Sequence, residues 1–133
     1  HKKSLVAYID MNNLKIVNDR YGHDEGDFSI KHISDTLTGL FAEGVVGRLG
    51  GDEFALVCDY DGDGNGDGSE IVSHIYKTFA DFNETSDKPY NVTVSVGVCC
   101  VDSENYIELQ EALGYADEKL YIEKQHRVKN VAK

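Results

Sequence analysis

Apolar residues along the chain form four strand-like runs. The run at 4–10, SLVAYID, is short and apolar and ends in a carboxylate, which predicts a buried strand. The runs at 44–49 (GVVGRL) and 53–60 (EFALVCDY) flank the glycine pair at 50–51, and this pattern predicts a β-hairpin. The run at 91–101, NVTVSVGVCCV, is alternating and rich in β-branched residues, so it predicts a further long strand.

Helical stripes, in which apolar residues recur every three or four positions, separate these runs. A polar segment with glycines at 12–27 predicts a short helix and a turn before the first stripe. The three stripes consist of Ile30, Ile33, Leu37 and Leu40, then Ile71, Ile75, Phe79 and Phe82, and finally Leu109, Leu113, Ala116 and Leu120.

The order of elements is therefore strand, helix, strand hairpin, helix, strand, helix. It predicts an α/β chain, an α+β sandwich in which helices flank a central mixed or antiparallel sheet of about five strands. This order resembles the ferredoxin-like arrangement and the palm of nucleotide cyclases. In such a sheet the end of the first strand lies beside the hairpin tip, so we expect Asp10 to lie close to Asp52 and Glu53.

Length and charge restrict the classes of function. At 133 residues, the chain (1–133) is expected to be a single domain. Its net charge of −11 argues against nucleic acid or an anionic membrane surface as a partner. No stretch of 18 apolar residues and no signal peptide is visible. Three cysteines in apolar runs indicate reduced thiols, and hence a cytoplasmic location, which includes the cytoplasmic end of a membrane-bound sensor protein.

Two carboxylates at neighbouring strand ends repel each other unless a cation offsets their charge. Mg²⁺ suits this role because it takes oxygen ligands from one or two carboxylates together with substrate phosphates. Gly50 and Gly51 would let the backbone approach a bulky triphosphate closely. The alternative is that Asp52 and Glu53 are ordinary exposed turn residues.

A second acidic segment at 59–70, DYDGDGNGDGSE, satisfies the spacing of a calcium-binding loop with a glycine at its sharp turn. It follows a strand rather than a helix, so it is not an EF-hand. Ca²⁺ binding and a solvated acidic loop both remain open. The candidate ligands are Asp59, Asp61, Asp63, Asn65, Asp67 and Glu70.

Four motifs together resemble those of the GGDEF family, the diguanylate cyclases. The segment at 48–54, RLGGDEF, carries the family signature unchanged, and YIDMNNLKIVNDRYGHDEGD at 8–27 resembles the family's first motif. NVTVSVGV at 91–98 and ADEKLYIEK at 116–124 resemble its T-x-S-x-G strand and its closing segment. The helical start of the family domain is not seen ahead of the first strand, so the resemblance implies a domain excised from a longer multidomain protein.

The resemblance implies a reaction in which two GTP molecules form cyclic di-GMP and two pyrophosphates. Each domain would hold one GTP with Mg²⁺ or Mn²⁺, and two copies would face each other as a homodimer under the control of an upstream sensor domain. Asp10 and the main-chain carbonyl of Met11 would ligate metal. Asp52 would ligate metal and help to deprotonate the attacking 3′-hydroxyl, with Glu53 as a further ligand or an orienting group.

By the same resemblance, guanine recognition falls to Asn18 and Asp27. A carboxylate accepts hydrogen bonds from N1–H and from the 2-amino group of guanine, and adenine offers neither donor there. His23 would line the same pocket, or it would stabilise the glycine-containing turn around it.

The remaining substrate contacts implied by the resemblance are those to phosphate. Lys15 and Lys124 match the family's phosphate-binding lysines. Gly50 and Gly51 of the signature are likewise expected to contact the substrate, because they lack side chains.

The chain departs from the family pattern at several positions. Asn12 stands where the family often has Asp, and Leu14, which still provides an apolar wall for the substrate pocket, stands where it often has Phe. Either Arg127 or Lys129 could replace the family's terminal phosphate-binding arginine. Residues 41–44 read FAEG where the family's feedback site has R-x-x-D, so we expect no product inhibition through that site.

Two functions from different classes are consistent with these residues. The first is an active diguanylate cyclase domain. The second is a catalytically silent GTP-binding module that signals through a partner. A third and weaker interpretation, a polymerase-like palm, shares the paired carboxylates but does not need the Asn/Asp spacing suited to guanine.

Overall fold

The computed structural model describes residues 3–60, 66–102 and 106–126. The predicted order of strands and helices is confirmed, with two helices between the first two strands. The elements are β1 (Lys3–Met11), α1 (Leu14–Tyr21), α2 (His23–Leu40), β2 (Val45–Gly50), β3 (Glu53–Asp59), α3 (Ser69–Thr85), β4 (Val94–Asp102) and α4 (Leu109–His126).

The four strands form one antiparallel sheet in the order β2-β3-β1-β4. The α/β class is therefore confirmed, although the described residues contain four strands where the sequence predicts about five. β1 lies in the interior of the sheet and pairs with both β3 and β4. Its register sets Asp10 opposite Glu53, which confirms the predicted neighbourhood of the strand end and the hairpin.

One face of the sheet carries the main hydrophobic core. Because side chains alternate along a strand, every second residue of β1 points to this face. These residues pack with Phe54 and Leu56 of β3 and with the apolar stripes of α2 and α3, and the β1 and β3 residues are nearly inaccessible to solvent. The β1 residues concerned are Leu5, Ala7, Ile9 and Met11.

On the other face of the sheet α4 packs over β4 and β1, and it approaches β4 very closely at Gly97. A Cβ atom at position 97 would lie 2.0 Å from the carbonyl oxygen of Ala116 and 2.4 Å from the amide nitrogen of Leu120. Only glycine allows this contact between the backbones of strand and helix. The predicted stripe on this helix is wrong at Leu109, which is 54% exposed, since Ala112 occupies the buried position instead.

Among the residues that the structure describes, none of the helices combines the length and the apolar character required for crossing a bilayer.

We predict that Gly97→Ala lowers the free energy of unfolding by about 1–3 kcal/mol or more, because the new methyl group overlaps the α4 backbone. Urea denaturation of the two proteins measures the difference. Gly114→Ala is the matched control, because Gly114 lies within α4 and has open space around it. That substitution should raise stability by about 1 kcal/mol through helix propensity. Equal effects of the two substitutions would contradict the close packing of α4.

Candidate active site

The carboxylates at the end of β1 and in the hairpin lie together, as predicted. Asp10 is next to last in β1 and only 7% exposed. The amide of Met11 donates a hydrogen bond of 2.8 Å to the carbonyl oxygen of Asp52, which ties the hairpin turn to the strand end. Asp52 and Glu53 are half-buried, so they are not freely exposed turn residues.

Asp10 is an electrostatically strained carboxylate. Burial, together with the neighbouring charge of Asp52, raises the pKa of Asp10 to about 6, although the ammonium of Lys124 acts to lower it. The Nζ atom of Lys124 lies 2.5 Å from Oδ2 of Asp10. The other oxygen, Oδ1, is buried and accepts no hydrogen bond from the described residues. A buried carboxylate oxygen without a partner is costly.

This donor set fits a magnesium ion. The unpartnered Oδ1 of Asp10 and the carboxylate of Asp52 are hard oxygen ligands, of the kind that Mg²⁺ binds together with substrate phosphates. Within residues 3–60, 66–102 and 106–126, no three His, Cys, Asp or Glu side chains form a metal cage. The geometry therefore suits an ion that arrives with its phosphate ligands. The part assigned to the carbonyl of Met11 stays a prediction.

Glu53 has a partner that the sequence analysis missed. The hydroxyl of Tyr8 donates a hydrogen bond of 3.1 Å to Oε2 of Glu53. Burial and the Glu53 charge raise the pKa of Tyr8 to about 12, so the hydroxyl keeps its proton. Tyr8 lies two residues before Asp10 and hence on the same face of β1, a relation that strand alternation alone could have indicated.

The departure at position 12 has a structural account. The side-chain oxygen of Asn12 accepts a hydrogen bond of 2.9 Å from the hydroxyl of Ser95, and its amide nitrogen lies 3.3 Å from the hydroxyl of Thr93. Asn12 therefore fastens the end of β1 to β4. An amide serves this purpose because it both donates and accepts.

The fold itself does not require glycine at positions 50 and 51. Neither residue has a positive φ. A Cβ atom at Gly50 would meet only Oε2 of Glu53, at 4.0 Å, and a Cβ atom at Gly51 would have no other heavy atom within 4 Å. The guanidinium of Arg48 holds the turn through two hydrogen bonds to the carbonyl oxygen of Gly51, at 2.7 and 3.1 Å. The glycines leave open space above a fixed turn, as the predicted close approach of a ligand requires.

The predicted base-reading residues lie where α1 meets α2. A Cβ atom at Gly26 would lie 1.8 Å from Oδ1 of Asn18 and 3.2 Å from Cδ1 of Leu14, so both side chains pack directly on the α2 backbone. Asp27 follows Gly26 and is exposed. The structure thus brings Leu14, Asn18 and the start of α2 together. His23 is the exposed first residue of α2, and its role stays a prediction.

The two candidate phosphate lysines differ in their surroundings. Lys124 reaches the carboxylate site from α4. Lys15 is exposed on α1 and forms an ion pair of 2.7 Å with Asp19, one helical turn away, which raises the pKa of Lys15. Its assignment to phosphate stays a prediction, and Arg127 and Lys129 lie outside the described residues.

The candidate calcium loop is described only in part. Asp61, Asp63 and Asn65 lie outside the described residues, and Asp59 is exposed at the end of β3. The remaining two candidates have partners within the protein. Oδ1 of Asp67 accepts a hydrogen bond of 3.0 Å from the amide of Ser69, and Glu70 accepts one from the hydroxyl of Tyr60. Calcium binding therefore stays a prediction.

Comparison with known proteins gives consistent matches. The family model described as "Diguanylate cyclase, GGDEF domain" matches residues 1–130. The diguanylate cyclase DgcP of Escherichia coli K12 is 36% identical over 129 residues, which cover 96% of this chain. The structure of a sensory box/GGDEF family protein from Caulobacter crescentus is 25% identical, with a TM-score of 0.78, and the match covers 95% of this chain and 81% of that one.

A further structure, the GGDEF domain of DgcB from Caulobacter crescentus in complex with c-di-GMP, supports the fold alone, because only 21% of residues are identical. Its TM-score is 0.78, and the match covers 98% of this chain and 77% of that one. This chain spans 37% of the length of DgcP, so DgcP contains much that has no counterpart here.

We predict that the stability of the metal-free protein falls as pH rises from about 4 to about 7, through Asp10. The folded protein binds this proton more tightly than the unfolded chain does, so the contribution is complete below about pH 4 and is lost as pH passes about 6. The loss amounts to about 2–3 kcal/mol. Urea denaturation with chelator present, for the wild type and for Asp10→Asn, isolates it as a difference that grows with pH.

The control for this measurement is Asp81→Asn, which removes an exposed carboxylate that pairs with Lys77 one helical turn away. Its difference from the wild type should stay nearly constant over the same range. The difference in stability between the wild type and Asp10→Asn could prove equally independent of pH. Asp10 would then not titrate as its burial requires.

Proposed function

Because the chain belongs to the GGDEF domain family, we propose that it is a diguanylate cyclase domain that condenses two GTP molecules into cyclic di-GMP and two pyrophosphates. The observation that carries the proposal is the unpartnered buried oxygen of Asp10 beside the Asp52 carboxylate. The signature is complete, and of the residues that pair with guanine in the proposed mechanism, Asn18 packs against the start of α2 and Asp27 belongs to it.

In the proposed reaction Asp10 and Asp52 hold Mg²⁺ or Mn²⁺, with the carbonyl of Met11 as a further ligand. When bound, such an ion neutralises the triphosphate and the charge that builds on the α-phosphoryl group. Asp52 accepts the proton of the attacking 3′-hydroxyl, and Tyr8 fixes the orientation of Glu53 beside it.

Lys124 has two roles in this proposal, one before and one after a cation binds. In the structure its ammonium balances Asp10 at the carboxylate site. When a cation takes over that balance, the ammonium is free to contact phosphate on the same side of the sheet. A chain of net charge −11 needs such local cations to admit a polyphosphate.

At the other end of the substrate, the Asp27 carboxylate accepts hydrogen bonds from N1–H and the 2-amino group of guanine, while Asn18 contacts the base edge. Leu14 forms the apolar wall of this pocket, and His23 lines its rim. An adenine would leave Asp27 without partners, and the loss of both hydrogen bonds disfavours it.

Two copies of the domain face each other in this proposal, each with one GTP. Since the chain spans 37% of the length of DgcP, we assign control of this pairing to a sensor segment elsewhere in the protein. We place the reaction in the cytoplasm, where GTP is available and where the free thiols of Cys58, Cys99 and Cys100 stay reduced.

The direct test is incubation of concentrated protein with GTP and Mg²⁺, followed by chromatography of the products. We expect cyclic di-GMP, and we expect Asp52→Asn to lower its rate of formation at least about 100-fold, because a carboxylate that acts on the transition state is lost. Asp81→Asn should leave the rate unchanged. A fusion to a dimerising helix should raise the rate at low protein concentration.

If the dimerised protein binds GTP but forms no cyclic di-GMP, the proposed reaction is wrong and the silent GTP-binding module is correct. If it binds no GTP in the presence of Mg²⁺, both functions are wrong.

We also predict that cyclic di-GMP does not bind tightly at residues 41–44. This segment borders a cavity of about 460 Å³ whose described lining contains the acids Glu43 and Asp59 and no Lys or Arg. An Asp side chain at Gly44 would be crowded as well, because its Cβ would lie 2.8 Å from the carbonyl oxygen of Val57. Calorimetric titration of Asp52→Asn with cyclic di-GMP tests this, and binding that is abolished by substitutions at 41–44 would refute it.

A further inference from the structure

We propose that Tyr90 and Lys88 act as positioning residues for guanine recognition, because they hold Glu25 and thereby fix the first turn of α2. The inference rests on the proposed function, in which Asn18 and Asp27 read the base. We call the three residues Glu25, Lys88 and Tyr90 the α2 clamp.

The contacts of the α2 clamp are short and converge on one carboxylate. The hydroxyl of Tyr90 donates a hydrogen bond of 2.7 Å to Oε1 of Glu25, and Nζ of Lys88 lies 2.9 Å from the same oxygen. The Tyr90 side chain is completely buried, with its ring 5.1 Å from that of Tyr21. The Lys88 ammonium also lies 4.3 Å from the ring centre of Phe28. Both partners of Glu25 are therefore themselves held in place.

The start of α2 needs such a support. The residue before the helix is Gly22, which has a φ of 98° and no side chain with which to cap the first turn. The main-chain bonds at this point, from the amides of Glu25 and Gly26 to the carbonyl oxygen of Gly22, are 3.1 and 3.3 Å long. The clamp adds a charge-assisted attachment at Glu25, one residue before Gly26.

A shift of this turn would reach the base-reading residues directly. Gly26 follows Glu25 and touches the side chain of Asn18 so closely that no Cβ atom fits between them. Asp27 is the next residue of the same helical turn. A displacement of Glu25 would therefore shift Gly26 against Asn18 and would carry Asp27 along with the helical turn. Both changes alter the positions from which the two side chains contact a base.

The segment that supplies the clamp is also fixed to the carboxylate site. Residues 86–93 connect α3 to β4. The backbone N–H of Asn12 donates a hydrogen bond of 2.9 Å to the carbonyl oxygen of Thr93 in this segment. The same segment thus touches the end of β1 near Asp10 and the start of α2. It fixes the distance between the base pocket and the carboxylates, which a nucleotide must span.

The test compares the binding of GTP with that of inosine triphosphate. The latter lacks the 2-amino group from which Asp27 accepts a hydrogen bond. In the presence of Mg²⁺, the wild type should bind GTP more tightly by about tenfold or more, since a hydrogen bond to a carboxylate is lost. Tyr90→Phe keeps the buried ring and removes only the hydroxyl. We expect it to reduce the ratio of the two dissociation constants by at least about threefold.

Glu25→Ala should reduce the ratio further, and Glu25→Gln should restore part of it, because an amide oxygen still accepts from Tyr90. The matched control is Tyr60→Phe. It removes a buried hydroxyl that likewise donates to a glutamate, Glu70, but Tyr60 lies past the opposite end of the sheet, bonded to Lys3. Tyr60→Phe should lower stability and leave the ratio unchanged.

The outcomes separate the inference from the proposed function. One outcome is that the wild type prefers GTP, while both Tyr90→Phe and Tyr60→Phe keep the wild-type ratio of dissociation constants. In that case the clamp is merely structural and the inference is wrong. If the wild type binds both nucleotides equally or binds neither, the proposed guanine recognition is wrong and the inference fails with it. A ratio reduced in Tyr90→Phe and Glu25→Ala alone supports the clamp.

Discussion

The burial of one carboxylate at the end of an interior strand is the constraint on which the rest of the site depends. Asp10 belongs to β1, which is paired on both sides, so its backbone cannot move to bring the side chain into water. The surroundings must therefore supply positive charge. Lys124 supplies it from α4 at one oxygen, and the second oxygen is left to a ligand.

The groups around this carboxylate are held by bonds that do not involve it. Tyr8 holds Glu53, Asn12 holds the strand end against Ser95, and Arg48 holds the hairpin turn. Each of these polar groups has its own partner, so none competes with a cation for Asp10. Apart from Lys124, the side chains around Asp10 are therefore preorganised, because binding need not first rearrange them.

Sequence patterns predicted the features that depend on periodicity and topology. Strand alternation and the hairpin signal sufficed to bring Asp10 next to Asp52 and Glu53, because antiparallel neighbours fix which ends meet. The helix stripes gave the buried faces of α2 and α3. For α4 the stripe was wrong at Leu109, which is exposed, while Ala112 is buried; the close approach at Gly97 involves the backbone of Ala116 and Leu120.

Side-chain pairs between distant segments were beyond the reach of the sequence. The contact of Tyr90 and Lys88 with Glu25 joins a loop to a helix start more than 60 residues away, and it depends on the rotation of α2 about its axis. The pairing of Lys124 with Asp10 likewise depends on how α4 lies across the sheet. No local pattern encodes these angles, which follow only from the packing of the whole core.

The bare contact between Gly97 and α4 has a mechanical consequence. A helix that rests on side chains can slide as those side chains change rotamer, but here peptide groups touch with no flexible atoms between them. A translation or rotation of α4 therefore moves β4 and β1 with it, because the contact at Gly97 has no side chain that could adjust. Lys124 lies on the same helix, one turn beyond Leu120, so the same motion shifts the ammonium that faces the Asp10 carboxylate.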